Sequence, residues 1–259
     1  MRDEELHRSA AILGQARASG RRLTDWPAQS RPQTLEEGYA IQRQLISGSP
    51  GRVRGWKLAC TSAELQRRYR VTEPYFGPLF ETVVFDSSAR IGAAEYAPCG
   101  VECEFAFELG ADITASRREL SVADVASAVA SVRPAIEVVS SRFVNWKELD
   151  APSVIADCAS NGALIIGHSS PIGLAPDLAT HPVTLTIDGR ESAKGTGAAV
   201  LGHPLNALRW LINSRSRWFD LKAGDLITTG SATGLIYTRP GNRVTGEFGT
   251  LGHVEFTVT

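Results

Sequence analysis

The stretch Val101-Glu102-Cys103-Glu104-Phe105-Ala106-Phe107-Glu108-Leu109 decides how the rest of the chain is read. Strand side chains point to opposite faces with a period of two, so Val101, Cys103, Phe105, Phe107 and Leu109 share one face and Glu102, Glu104, Ala106 and Glu108 the other. At a rise of about 3.3 Å per residue, Glu102 and Glu104 stand roughly 7 Å apart at the backbone. This alternation fits a half-buried strand with an acidic solvent face, and it fits a strand that presents paired carboxylates to a site. The neighbouring stretches separate the two.

Downstream, Pro134-Ala135-Ile136-Glu137-Val138-Val139 reads as a strand that is apolar on both faces except at Glu137. A carboxylate there is expensive unless it is paired or bound to a metal. Glu102 and Glu104 on one strand and Glu137 on a neighbour would make an oxygen-only cage, which favours Mg²⁺ or Mn²⁺ over Zn²⁺ or Cu²⁺. Upstream, Val53 to Cys60 reads as a strand with Lys57 among apolar residues, and burial there is expected to depress the lysine pKa. Toward the C-terminus, Gly224 to Gly234 is a strand running into a Gly/Ser/Thr loop that contains Ser231. Such a loop offers N–H groups and hydroxyls to a carboxylate or oxyanion. It lacks the Gly-Lys-Ser/Thr core of a phosphate loop. Asp157, Ser160 and Asn161 form a polar cluster ahead of a buried strand ending near Gly167, a pattern that serves as turn chemistry or as part of a site.

The remaining elements are read from periodicity and caps. Residues 3 to 19 have helical spacing, and Thr34-Leu35-Glu36-Glu37 opens a second helix through about Ile46. Thr61-Ser62 caps a short helix from Ala63 to Tyr69, and Pro74 to Phe80 reads as a turn-rich apolar loop. Short strands are expected around Val83 to Phe85, and Ser121 opens a small-residue helix running to Val132. Val183 to Ile187 starts a hairpin, Pro204 opens a helix through about Ile212, and Gly252 to Val258 is the last strand. Many short strands with few long helices indicate a mainly β core with helices at one end. The expected division is residues 1–50 as an N-terminal helical region and 51–259 as a β-rich catalytic domain.

The 259 residues carry a net charge of -1 and 43% hydrophobic residues, the profile of a soluble globular protein without a basic field for nucleic acid or an anionic membrane. The charged start Met1-Arg2-Asp3-Glu4-Glu5 and the lack of a long apolar run point to the cytoplasm. Cys60, Cys99, Cys103 and Cys158 show no metal-binding spacing and read as buried, reduced thiols. His203, beside Pro204 at a helix start, reads as structural.

Gly55-Trp56-Lys57-Leu58 with Thr61-Ser62, Phe76-Gly77-Pro78-Leu79-Phe80, Glu102-Cys103-Glu104, Glu137 to Arg142, Ala156-Asp157 with Ser160, Leu201-Gly202-His203-Pro204 and Gly224 to Ser231 occur in one order. That order resembles the 2-keto-4-pentenoate hydratase, 2-oxo-hept-4-ene-dioate hydratase and 4-oxalocrotonate decarboxylase branch of the fumarylacetoacetate hydrolase superfamily. The resemblance covers roughly residues 34 to 258. It implies an α+β fold with a mixed β-roll core and an N-terminal helical region, a homo-oligomer, and Mg²⁺ or Mn²⁺ on Glu102, Glu104 and Glu137. It also implies Lys57 as the active-site lysine and a small 2-oxo or 2-hydroxydienoic acid as substrate, with Ser160 and Ser231 as candidate substrate contacts. One departure stands out. Where typical hydratases carry Asp before the Phe-Gly of the loop, this chain has Tyr75, a proton donor but a poor base near neutral pH. Hydration of a dienoate is the leading expectation, and decarboxylation of a 4-oxalocrotonate-like diacid is the alternative. A carbon–carbon hydrolase, for which His7 would be a remote base, and a non-catalytic metabolite-binding homologue rank lower.

Overall fold

A computed structural model describes residues 1–27, 29–114, 119–215 and 219–259. The elements in chain order are α1 (Asp3–Ser19), α2 (Leu35–Gly48), β1 (Val53–Ala59), α3 (Ala63–Tyr69), β2 (Tyr75–Phe80), β3 (Val84–Asp86), β4 (Ala89–Ile91), β5 (Pro98–Leu109), α4 (Val122–Ser127) and β6 (Val129–Ser140). They continue with α5 (Ala151–Ala156), β7 (Asn161–Ile166), β8 (Ser170–Pro171), β9 (Pro182–Ile187), β10 (Arg190–Thr196), α6 (Pro204–Arg215), β11 (Leu226–Ser231), β12 (Ile236–Tyr237), β13 (Arg243–Glu247) and β14 (His253–Val258). The caps follow side-chain chemistry. Thr34 accepts the Glu37 N–H at 3.2 Å and starts α2, while α1 ends at Gly20, whose φ of 68° is the left-handed conformation glycine tolerates. Among the described residues no helix is long and apolar enough to cross a membrane.

Two sheets carry the fold. The larger runs β2-β1-β11-β5-β6-β7-β3, with β12 on β5 and β8 on β6; the smaller runs β10-β9-β13-β14-β4. β5 and β6 are paired along almost their whole length and form the centre of the larger sheet. The face of β5 bearing Val101, Cys103, Phe105 and Phe107 is fully buried and packs toward the smaller sheet. There the Phe105 ring meets Phe248 edge-on at 5.3 Å, and a Cβ at Gly246 would stand 2.8 Å from Cys103 Sγ. Each fully buried side chain of this size contributes about 2–3 kcal/mol of apolar burial.

The other face of the larger sheet is concave. Leu79 on β2, Leu226 on β11, Ala106 on β5, Ala135 on β6 and Leu164 on β7 form a separate buried cluster on it. β2 and β7 lie well apart in the strand order, so they share a cluster only because the sheet rolls over. This is the mixed β-roll with N-terminal helices expected from the resemblance. The helices pack on the roll through Ala10, Leu13 and Ile41 against Phe143 and Ala156.

Several local expectations change. Both faces of β5 are buried, so Glu102, Glu104 and Ala106 do not form a solvent face. Pro74 to Phe80 is not a loop from end to end; Tyr75 to Phe80 pairs antiparallel with β1 as an edge strand, where the missing N–H of Pro78 breaks no ladder on its free side. The helix opened by Ser121 stops at Ser127. Val129 to Val132 belong to β6, whose pairing with Phe107 to Leu109 outweighs the small-residue helical pattern. A short helix, α5, precedes the polar cluster at Asp157, and α6 extends to Arg215 rather than Ile212.

Candidate active site

The register of β5 and β6 puts Glu102 directly opposite Glu137. Opposed side chains on an antiparallel pair have Cβ atoms about 5 Å apart, and like charges there repel. Glu104 lies two residues along and faces Ala135, whose small side chain leaves room for a third carboxylate to lean inward. One carboxylate oxygen from each of Glu102, Glu104 and Glu137 lies within 4.8 Å of the others. Glu104 and Glu137 are completely buried and Glu102 is half-buried.

Lys57 comes from the same concave face. Gly77, Lys57, Thr228 and Ala106 are successive partners across β2, β1, β11 and β5. In a flat sheet β1 and β6 would be about 14 Å apart, three strand spacings. The roll instead brings Lys57 Nζ to 2.9 Å from Glu137 Oε1. The small residues Thr228 and Ala106 between them leave the lysine stem a free path.

The C-terminal end of β11 completes the cage. The Gly230 N–H donates to Glu104 Oε2 at 2.9 Å. Gly230 has φ of 99°, and a Cβ there would fall 2.0 Å from Thr61 Oγ1, so both conformation and space require glycine. The Ser231 hydroxyl accepts the Gly234 N–H at 2.8 Å and is hydrogen-bonded to the Glu102 carboxylate. Ser231 therefore holds a cage residue.

Lys57 Nζ compensates Glu137 Oε1 at 2.9 Å, whereas among the described residues Glu137 Oε2 and Glu104 Oε1 are buried without a partner. Uncompensated buried carboxylates are costly, and a hard divalent cation is the ligand that an all-oxygen donor set of this charge accommodates. The residues fit such an ion. Burial pushes the Glu102 pKa up to about 7, aided by Glu137 and opposed by Lys57 and the Ser231 hydroxyl. Burial also raises Glu104 well above the usual carboxylate value, with Glu137 and Glu102 adding to it and Lys57 and the Gly230 N–H opposing. For Lys57, burial is the largest influence and pulls the pKa down, but Glu137, Glu104 and Glu102 together leave it raised. The expectation of a depressed lysine is thus reversed, because three carboxylates surround one ammonium.

Tyr75 shares a face of β2 with Gly77, the partner of Lys57, so it lies on the concave side. Its ring is buried and its hydroxyl is hydrogen-bonded with the Cys60 thiol. Burial, then Cys60 and Tyr69, raise its pKa well above the ordinary value. Tyr75 stays neutral and is unavailable as a base.

Ser160 ends a turn in which Cys158, Ala159 and Ser160 all have φ near 55°, an uncommon left-handed run without glycine. The turn crosses the concave face at Gly77, where a Cβ would meet Cys158 O at 2.2 Å. The Ser160 hydroxyl is buried and has no partner among the described residues. Asp157, by contrast, is consumed by Arg142 at 2.5 Å and Ser141 at 2.9 Å, a structural clamp.

Thr228 was not among the residues singled out from sequence. Its hydroxyl is buried with no partner among the described residues, and it is the strand partner of Lys57. A polar residue between Ile227 and the Gly-rich loop, in period with Leu226, is the trace it leaves in the sequence. All four cysteines are free and buried, and burial raises Cys60 to about 11. His203 Nδ1 accepts the Leu205 N–H at 3.0 Å at the start of α6. Glu108 pairs with Arg133 at 3.1 Å and stays outside the cage, and His7 sits on exposed α1.

Residues 58–259 match the family described as fumarylacetoacetate (FAA) hydrolase C-terminal. This chain belongs to that family. Among its relatives, the 2-keto-4-pentenoate hydratase of Burkholderia vietnamiensis is 33% identical over 99% of this chain and 98% of its own length. The 2-hydroxyhexa-2,4-dienoate hydratase of Comamonas testosteroni is 32% identical over 89% of each chain. The solved structure of 4-oxalocrotonate decarboxylase from Pseudomonas putida G7, complexed with magnesium and adipate, superposes with a TM-score of 0.92 at 25% identity over 100% of this chain and 99% of that one.

Proposed function

We propose that this family member is a hydro-lyase that adds water to a 2-hydroxy-2,4-dienoate of the 2-keto-4-pentenoate type, using Mg²⁺ or Mn²⁺ held by Glu102, Glu104 and Glu137. The carrying observation is the buried triad itself: three carboxylate oxygens within 4.8 Å of one another, with Lys57 against Glu137. Relatives named as dienoate hydratases along the full length of the chain support it.

The bound cation would supply a chelation site for the 2-oxo acid and an electron sink for the dienolate. The protein residues do the rest. Lys57, the buried cation on the same face, holds the substrate anion or donates a proton during ketonisation. The hydroxyls of Ser160 and Thr228, which lack partners among the described residues, would orient the acid. Ser231 and the Gly230 N–H hold Glu102 and Glu104 in position. Tyr75 takes part as a neutral hydrogen-bond donor, and water activation falls to another group. The enzyme acts in the cytoplasm as a homo-oligomer, with residues 1–50 as a helical region and 51–259 as the catalytic domain.

Decarboxylation of a 4-oxalocrotonate-like diacid is the second reading, favoured by the close superposition on the decarboxylase and by Tyr75 in place of a carboxylate. The test incubates the protein, loaded with Mg²⁺ or Mn²⁺, with 2-hydroxypenta-2,4-dienoate and separately with 4-oxalocrotonate. Loss of the dienoate absorbance with formation of the hydrated 2-oxo acid is expected. Release of CO₂ from the diacid alone would shift the assignment to decarboxylase, and inertness toward both would reject the two together. Tyr75→Asp should raise hydration; an unchanged or lower rate would mean that this position does not limit water addition.

A further inference from the structure

A cavity of about 800 Å³ lies between α1, the end of α2 and the roll, and none of Lys57, Glu102, Glu104 or Glu137 lines it. It is a second concavity, apart from the metal cage. Its wall is rich in arginine: Arg17, Arg21, Arg22 and Arg142 face a single lining carboxylate, Glu95. Two of these cations are already engaged. Arg142 is bound to Asp157, and the Arg22 guanidinium is spent on the carbonyls of Ser141, Phe143 and Val144. Glu95 is itself hydrogen-bonded with the Tyr96 hydroxyl.

Arg17 differs. It donates a long hydrogen bond, 3.4 Å from Nη1 to the Asn161 carbonyl, and is hydrogen-bonded with the Cys158 thiol, whereas among the described residues its Nη2 is buried with no acceptor. Beside it, outside the cavity's lining, Asn161 is completely buried, and among the described residues both its side-chain amide atoms lack partners. A buried guanidinium nitrogen without an acceptor costs free energy that an anionic ligand in the cavity recovers through a charge-assisted hydrogen bond. The rest of the wall includes Leu45, Phe80 and Val83, so an inorganic ion would leave much of the space unused.

We propose that this cavity binds a small organic carboxylate, its anionic end on Arg17 and its apolar body against Leu45, Phe80 and Val83. The site is independent of the hydro-lyase assignment and is tested without turnover. Metal-free protein, in which chelation at the glutamate cage is absent, is titrated calorimetrically with benzoate and, in parallel, with inorganic phosphate. Saturable benzoate binding, one per chain, is expected, with phosphate about tenfold weaker or more. Glu137→Gln should bind benzoate as the parent does. Arg17→Met should weaken it by about tenfold or more. Gly14→Phe should do the same by filling the space, since a Cβ at Gly14 meets Leu45 at an ordinary 3.5 Å. The second variant keeps the test decisive if the first misfolds. No saturation at millimolar benzoate, phosphate binding as tight as benzoate, or benzoate binding that survives both substitutions would each overturn the proposal. If the parent does not bind and Arg17→Met changes the assembly in ultracentrifugation, the cavity is a contact between subunits and the proposal fails.

Discussion

Glu137 is the residue on which the cage turns: it faces Glu102 across the ladder, holds Lys57 through Oε1 and, among the described residues, leaves Oε2 buried without a partner. Glu137→Gln keeps its volume and removes its charge. Mn²⁺ affinity, measured by calorimetry, should fall about a hundredfold while the circular dichroism spectrum is retained; affinity within a few-fold of the parent would remove Glu137 from the ligand set. Lys57→Met separates two roles of the lysine. If Lys57 holds or protonates substrate, turnover of the Mg²⁺-loaded enzyme should drop about 10²- to 10⁴-fold. Because the same change strips three buried carboxylates of their cation, the metal-free protein should melt at a lower temperature than the parent, and Mg²⁺ should narrow the gap. Lower stability with unimpaired turnover would leave the lysine as a structural counter-ion.

At the scale of elements, the C-terminal end of β11 couples backbone conformation to the cage. Gly230→Ala must place a Cβ 2.0 Å from Thr61 Oγ1 at a φ of 99° and displace the N–H that holds Glu104. Gly20→Ala, at a φ of 68° with nothing within 4 Å, meets conformational strain alone. Urea unfolding should show roughly 1 kcal/mol lost at Gly20 and at least about 2 kcal/mol at Gly230; equal losses would mean that the contact with Thr61 relaxes freely. The same elements show where the sequence was legible. The period-two alternation of β5 and the lone carboxylate of β6 are local patterns, and they located all three cage glutamates. β2 was hidden because Gly77 and Pro78 signal a turn locally, whereas its strand conformation comes from pairing with β1. The boundary between α4 and β6 was misplaced for the same reason, a tertiary ladder overruling a helical small-residue run. The left-handed run at Cys158 to Ser160 contains no glycine to announce it. That Lys57 reaches Glu137 follows from the roll of the whole sheet, which no local window contains.

For the molecule as a whole, the cage ties stability to both pH and metal. In the metal-free fold Glu102 and Glu104 have pKa values raised above those of an unfolded chain, Glu102 to about 7. A group raised on folding favours the fold while it is protonated, and that contribution is lost as pH rises through the folded value. The raised Lys57 acts in the same sense but above its ordinary value near 10.5, outside the range in which Glu102 titrates. Metal-free protein should therefore lose thermal stability as pH rises from about 5 to about 8, by several degrees for a chain of this size. Metal binding requires the carboxylates to ionise, so affinity should climb over the same interval with release of protons to the buffer. Saturating Mg²⁺ should reverse the slope, so that the loaded protein is more stable near pH 8 than near pH 5. Scanning calorimetry with and without Mg²⁺ at these pH values, together with calorimetric titrations in buffers of different ionisation enthalpy, measures both effects. A metal-free melting temperature that does not fall with pH, or Mg²⁺ binding without proton release near neutrality, would show that the three carboxylates are already ionised and that Lys57 alone neutralises the cage.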